Sequence, residues 1–242
     1  MEKTNTQVEW DFYQSHYRDN YSSKSGWNDP SLFFVKDLIR LNHINTNSLL
    51  EIGYGDGKTL QSFSKIFKQV SGADISPKNI EITEKEFGNL KITNADFFVF
   101  DLMESVSDNR LFDNVLLSHV IEHFTQEELK IVIPNLLKKI KPGGKLIGAV
   151  PYKLPFNFRY CPHCQSKFEL DGHQIIYDEN IIRETFKQYE LKEILVRNYN
   201  FSFYSRNDNL IKKQIRKLYH LYRSLRGDKP KGQLEFCFEV GK

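Results

Sequence analysis

Cysteine is scarce in this chain: there are three in 242 residues. Three cannot build a disulfide framework, and so few suit a reducing compartment. No apolar run approaches the roughly 18 residues of a membrane span. The opening Met1-Glu2-Lys3-Thr4-Asn5-Thr6 lacks the apolar stretch of a signal peptide. The expectation is a cytoplasmic protein with no membrane span. Glycine (13) and proline (8) are too few for a collagenous or low-complexity chain. No internal repeat is visible, which sets solenoids aside. Neither sign of charge dominates the whole, at a net +3. Residues 210–231 nevertheless carry eight Lys/Arg against one Asp, so the remainder of the chain is acidic. Attraction to an anionic partner should come from that segment alone.

What is present is globular: 40% hydrophobic, 14% aromatic and 27% charged residues. The length favours one α/β domain with extensions. Short apolar runs at 49–53, 70–74, 90–93, 114–118 and 145–150 read as strands of a parallel sheet, with helical patterns between them. Ser76-Pro77 opens a helix that Gly88 closes. Thr125-x-x-Glu128 is a capping box before Leu129, Val132, Leu136 and Leu137. Pro134 predicts a kink in that helix, and Pro142-Gly143-Gly144 a turn into the next strand. A helix over 180–188, a strand near 191–197 and a last strand over 233–240 follow. One domain is expected: a helical N-terminal part (1–47), a core (48–151), a Cys/His loop insertion (152–177) and a C-terminal part (178–242) with a basic helix at about 209–227.

The sharpest motif is Leu49-Leu50-Glu51-Ile52-Gly53-Tyr54-Gly55-Asp56-Gly57, a buried strand ending in glycines and entering a helix. Such a bend lets a ligand approach bare backbone. The third glycine comes one residue too early for a dinucleotide fingerprint, and the gap before Gly57-Lys58-Thr59 is one residue too short for a P-loop. The acidic-x-Gly-x-Gly-x-Gly pattern resembles motif I of the class I S-adenosylmethionine-dependent methyltransferases. The resemblance covers about residues 47–151. It takes in Asp74-Ile75 at the end of the second strand, Ala95-Asp96-Phe97 after the third, 112–118 as the fourth, and 140–144 before the fifth. It implies a Rossmann-like seven-stranded sandwich with an N-terminal helical lid and small insertions, and S-adenosylmethionine as cofactor. By the same resemblance Glu51, Gly53, Gly55 and Gly57 hold the cofactor, Asp74 binds its ribose, Asp96 its adenine amine, and Phe97 lies against the ring. Tyr54 would add an aromatic wall. The alternative is a tight strand-to-helix turn and nothing more.

Ser118-His119-Val120-Ile121-Glu122-His123 leaves the fourth strand at its carboxyl end, where open parallel sheets bind ligands. Methyl transfer needs a nucleophile held in line, and deprotonated if it is a hydroxyl or protonated amine. His123 is the candidate base, with Ser118 and His119 on the cofactor side; a helix-capping Glu122-His123 is the alternative. The segment resembles the Glu-His element of small-molecule methyltransferases, including the ubiquinone branch, which has a carboxylate where His119 stands. The Asn/Asp-Pro-Pro-aromatic element of enzymes that methylate base amino groups is missing.

Cys161-Pro162-His163-Cys164 followed by Gly172-His173 leaves four readings open: a zinc site from Cys161, Cys164 and His173 with His163 as a further ligand, a thioredoxin-like redox pair, an acceptor-side role for His173, or an ordinary loop. Tyr13, Tyr17 and Tyr21, with Trp10 and Phe12, form either a packing face or a lid over the cofactor. The basic stretch is either a solvated amphipathic helix or a dock for an anionic small molecule, RNA or a membrane surface. Methyl transfer to an oxygen or nitrogen of a small polar acceptor of glycan or secondary metabolism is expected, an anionic acceptor being one form of it. An RNA or protein methyltransferase and a non-catalytic cofactor-binding partner protein are the alternatives.

Overall fold

The structure, a computed structural model, describes residues 30–104, 109–200 and 232–241. The aromatic stretch around Tyr13–Tyr21 and the basic helix at 209–227 lie outside the described residues. Helix α1 (Pro30–Arg40) precedes β1 (Ser48–Ile52), α2 (Lys58–Phe63), β2 (Gln69–Asp74), α3 (Pro77–Asn89) and β3 (Ala95–Val99). The chain then returns through β4 (Phe112–Ser118), a 3₁₀ turn (Ile121–His123), α4 (Gln126–Leu137) and β5 (Ile140–Pro151). A small hairpin, β6 (Phe158–Tyr160) and β7 (Lys167–Glu169), stands before α5 (Glu179–Phe186), β8 (Lys192–Asn200) and β9 (Gly232–Glu239).

Seven strands form one sheet in the order β3-β2-β1-β4-β5-β9-β8; β6 and β7 pair separately. The strands β1 to β5 run parallel, and β9 enters antiparallel between β5 and β8. Burial on both faces explains their nearly unbroken apolar runs: four of the five β1 residues and five of the seven in β4 are buried. On one face Leu129, Val132, Ile133 and Leu136 of α4 and Ile182 and Phe186 of α5 pack on Leu50, Ile52, Val115 and Leu117. On the other, Phe34, Val35 and Leu38 of α1, Leu60 and Phe63 of α2, and Ile80 and Phe87 of α3 cover Leu49 and Leu116. Alternate residues of each strand thus feed opposite cores. Each fully buried Leu or Phe is worth about 1.5–3 kcal/mol against exposure.

Capping follows the local chemistry. The Ser76 side chain accepts from Asn79 N–H with Pro77 in the first turn. Thr125 and Glu128 form the reciprocal capping box, and α4 runs on through Pro134 as one element. Two boundaries differ from expectation. Gly88 does not close α3: the helix reaches Asn89, and Lys91, at φ 55°, receives the left-handed turn that ends it. The run 90–93 is therefore helix exit, and the third strand starts only at Ala95. Gly143-Gly144 does not separate a turn from a strand either. Gly143, at φ 76°, lies within β5, where the register with β4 shifts. The glycine makes a bulge in a strand that already began at Ile140.

From β1 the chain moves outward to β2 and β3, then crosses back to β4 on the other side of β1. That reversal opens a crevice at the carboxyl ends of β1 and β4, where α/β sheets bind ligands.

Candidate active site

The bend after β1 is backbone held in a conformation that side chains disfavour. Gly53, Gly55 and Gly57 have φ of 68°, 58° and 74°. A Cβ on Gly53 would stand 2.8 Å from Val120 Cγ2, whereas one on Gly55 would meet only open space. The first glycine therefore lets the β1 bend close against the exit of β4, and the second leaves room above the backbone. Glu51 is buried at the end of β1. Asp74, also buried, accepts Ser76 N–H (2.9 Å) and Asn79 Nδ2 (2.8 Å). Asn79 Nδ2 also reaches Gly55 C=O at 3.0 Å, tying the second strand's end to the glycine bend. Ile75 lies half-buried beside Asp74. A carboxylate has about four acceptor positions, so these bonds leave capacity for hydroxyls. A bare backbone bend, an open space at Gly55 and a buried carboxylate on the adjoining strand fit an adenosyl ligand.

Three expected cofactor residues are placed elsewhere. Asp96 pairs with Ser71, three positions in from Asp74, so it sits near the start of β3 rather than at its carboxyl edge. Its carboxylate accepts Gln69 Nε2, Ser71 Oγ and Arg110 at the opposite rim of the sheet. Phe97 packs edge-on against Tyr54 (5.5 Å) and Phe87 (4.9 Å) in the α1–α3 core. Tyr54 is itself buried there and forms part of the core instead of a cleft wall. The carboxylate that does stand just past β3 is Asp101, whose side chain accepts Met103 N–H at 2.8 Å. The misplaced third strand hid it. Because the helix ends at Asn89 and turns at Lys91, the third strand and the acid past its end both fall later in the chain.

Beyond β4, Ser118 Oγ lies 2.7 Å from Ser31 Oγ of α1, so that helix reaches the carboxyl edge. His119 takes φ 55°, its N–H donating to Ala149 C=O and its Nδ1 lying 3.2 Å from Glu122 Oε1. Glu122 is buried, and its other oxygen, Oε2, has no hydrogen-bond partner among the described residues. Glu122 C=O accepts Gln174 N–H at 2.7 Å, which splices the 172–174 loop to the β4 exit. His123 Nδ1 lies 3.3 Å from Gly172 C=O. A carbonyl only accepts, so Nδ1 is the donor in this contact, and Nε2 is the nitrogen that carries the lone pair in the neutral tautomer. The His123 and His173 rings are 5.2 Å apart.

The sequence thus placed His123 and His173 at the acceptor side, and the structure brings them together with Glu122. Ligand atoms of these three lie within 4.8 Å of one another, a spacing that could hold a divalent cation. Burial lowers the His173 pKa from its ordinary value, against the pull of the Glu122 carboxylate. Its loop is built by Glu169. That carboxylate accepts Asn157 N–H (2.8 Å), Asp171 N–H (2.9 Å) and His173 N–H (2.9 Å). Burial would raise the Glu169 pKa, but those three donors outweigh it and hold the group below the usual range.

The expected zinc site is not formed. Cys161 and Cys164 occupy the tip of the β6–β7 hairpin, and among the described residues no cluster of three ligand side chains includes a cysteine. The His173 loop is instead joined to the β4 exit through the Gln174–Glu122 and Gly172–His123 contacts, and its ring lies 5.2 Å from that of His123. The Cys164 thiol, hydrogen-bonded with Ser166 and next to Cys161, is lowered to about 7.

The strand order, the reversal at β1 and β4 and the acid-flanked glycine bend define a Rossmann-like fold of the class I methyltransferase type. Residues 26–202 match the family model described as a methyltransferase domain, and the chain belongs to that family. It is similar to an uncharacterized methyltransferase of Anoxybacillus flavithermus, 27% identical over 43% of this chain and 46% of the relative. It is also similar to the ubiquinone biosynthesis O-methyltransferase of a Bradyrhizobium species, 28% identical over 47% and 44%. The chain therefore spans about half the length of the curated relatives it matches. The fold is shared with an S-adenosylmethionine-dependent methyltransferase of Clostridium acetobutylicum (TM-score 0.64, 14% identity, 96% and 99% of the two chains). It is shared as well with the N-methyltransferase NodS of Bradyrhizobium japonicum in complex with S-adenosyl-L-homocysteine (TM-score 0.61, 15% identity, 99% and 100%). No helix among the described residues is long and apolar enough to cross a membrane.

Proposed function

We propose that this protein transfers a methyl group from S-adenosylmethionine to an oxygen or nitrogen of a small polar acceptor, with His123 as the base. When bound, the sulfonium cofactor supplies an electrophilic methyl carbon. The glycine bend from Gly53 to Gly57 cradles it, Asp74 accepts from its ribose, and Asp101 takes the adenine-amine role that Asp96 is too distant to fill. The observation that carries the reading is the His123–Gly172 contact. It fixes the imidazole tautomer so that Nε2 can accept a proton from the acceptor. Val120, three residues before His123, is the side chain that Gly53 approaches, so the segment that carries the base packs against the cofactor bend. His119 and Ser118 line its cofactor side, while His173 and Glu122 stand behind the base. The names of an O-methyltransferase and an N-methyltransferase among the similar proteins agree with either acceptor atom.

Cell extract incubated with the protein and methyl-labelled cofactor is expected to yield one labelled small metabolite. His123→Ala should lower kcat by about 10²- to 10⁴-fold with little change in cofactor Kd by calorimetry. Label found only in RNA or protein would favour docking through the basic segment. Tight cofactor binding with no label anywhere would favour a partner protein without catalysis. A metal-assisted version of the same transfer is supported by the Glu122, His123 and His173 spacing; loss of turnover in chelator, restored by a divalent cation, would select it.

A further inference from the structure

The β6–β7 hairpin stands outside the seven-stranded sheet, and its tip is not an ordinary turn. Cys161 N–H donates to Ser166 C=O and Gln165 N–H donates to Cys161 C=O, both at 2.9 Å, closing residues 161–166 into a knuckle. Gln165 holds φ 59° to make that shape, a conformation that disfavours any residue but glycine. Within the knuckle the two thiols are neighbours, Cys164 exposed and Cys161 half-buried. Strands of three residues each give the hairpin no core, and two-stranded ribbons of this size are marginal in water without a staple. Phe158, Tyr160 and Phe168 are 45%, 69% and 45% exposed beside the tip. A closed tetrahedral zinc site takes four protein ligands, with thiolates at Cys-x-x-Cys spacing supplying two. The chain has one further cysteine, Cys237, buried in β9 and unable to reach. Among the described residues, the His173 ring stands beside His123 and Glu122, and His163 within the knuckle does not complete a cluster with the two thiols. A two-fold axis through the metal supplies the missing pair, because it brings the same knuckle from another molecule.

We infer that the hairpin tip is half of a metal site shared between two copies of this chain. Cys161 and Cys164 of each copy bind one zinc ion, four thiol protons are released to solvent, and Tyr160 and its neighbours lie in the tip-to-tip contact. Arg159 and Lys167, the latter with its ammonium 4.0 Å over the Phe158 ring, flank the tip with positive charge. That sign offsets the net negative charge of a four-thiolate zinc centre.

The full chain, stripped with chelator and titrated with zinc alone, should double its mass by light scattering at one zinc per two chains. Cobalt(II) in place of zinc should give the thiolate charge-transfer bands of a four-sulfur tetrahedral site. Gln165→Gly, which relieves the left-handed turn, should keep the dimer. Cys161→Ser/Cys164→Ser, at surface positions where folding is checked by circular dichroism, should remain monomeric with zinc. One zinc per chain without a change of mass, no zinc uptake, or a dimer that survives both chelator and the double substitution would each overturn the inference. Methyl transfer enters none of these readouts, so the inference and the proposed activity can fail separately.

Discussion

Burial, the largest influence, together with the neighbouring His123, lowers the His173 pKa and outweighs the carboxylates of Glu122, Glu169 and Asp171. The folded-state value lies below the ordinary 6.5, so the group's contribution to stability is fully present above that value. It is lost as pH falls, because the folded protein resists the proton that the unfolded chain accepts. Thermal melts of the wild type and His173→Gln should therefore converge as pH drops from about 7 toward 5. A constant gap over that window would remove burial as the cause. Asp96 and Asp101 separate the two candidates for the adenine amine. Asp101→Asn should weaken cofactor binding about tenfold, the loss of one charge-assisted hydrogen bond. Asp96→Asn should leave that affinity within about twofold and cost about 1 kcal/mol or less of stability through its half-exposed Arg110 pair. Calorimetry on both variants decides; the reverse pattern would restore Asp96 to the site.

At the scale of elements, the legible parts were those whose signals are local. The runs ending in Gly53, Asp74 and Ser118 stand in the sequence as buried strands because each is apolar and sharply bounded. Thr125–Glu128 is a reciprocal cap that four letters specify. The third strand was not legible, since the apolar run 90–93 looked like one. Only the backbone turn at Lys91, with Ile92 N–H returning to Phe87 C=O, shows that it closes a helix. The Cys/His insertion read as a loop for a similar reason. Its order comes from Glu169 gathering three backbone donors from residues 157, 171 and 173, a convergence that sequence spacing does not reveal. That convergence makes Glu169 a positioning residue for the His173 loop. Glu169→Ala releases all three donors and should lower kcat by up to about 100-fold while cofactor Kd stays unchanged. Glu169→Gln, which keeps one acceptor oxygen, should lie between. Because the Glu169 pKa is lowered, its hold on the loop is present above about pH 4.5 and fails only as pH falls further. Equal losses in cofactor affinity and turnover would instead mark Glu169 as a residue of the general fold.

Across the whole molecule, the helix before the sheet is fastened to the strands that end the chain. Asp37 of α1 and Glu235 of β9 share Arg197 of β8, at 3.1 Å and 2.7 Å. Gln233 Nε2 donates to Glu235 at 2.8 Å. The partners lie up to 160 positions apart, and no local pattern in the sequence announces them. Glu235 is fully buried, and burial pushes its pKa up against the pull of Arg197. The pair therefore gives less net stability than its geometry suggests, since desolvation offsets much of the attraction. Removing one partner is another matter, because the carboxylate then stays buried without its cation. Arg197→Ala should cost about 3–5 kcal/mol and lower Tm by roughly 6–20 °C in a domain of this size. Arg197→Leu/Glu235→Leu, which removes both charges, should recover most of that loss. Since α1 also reaches the cleft through Ser31 and Ser118, Arg197→Ala should weaken cofactor binding at temperatures well below its Tm. A double variant no more stable than Arg197→Ala would show that packing, rather than the stranded carboxylate, sets the penalty.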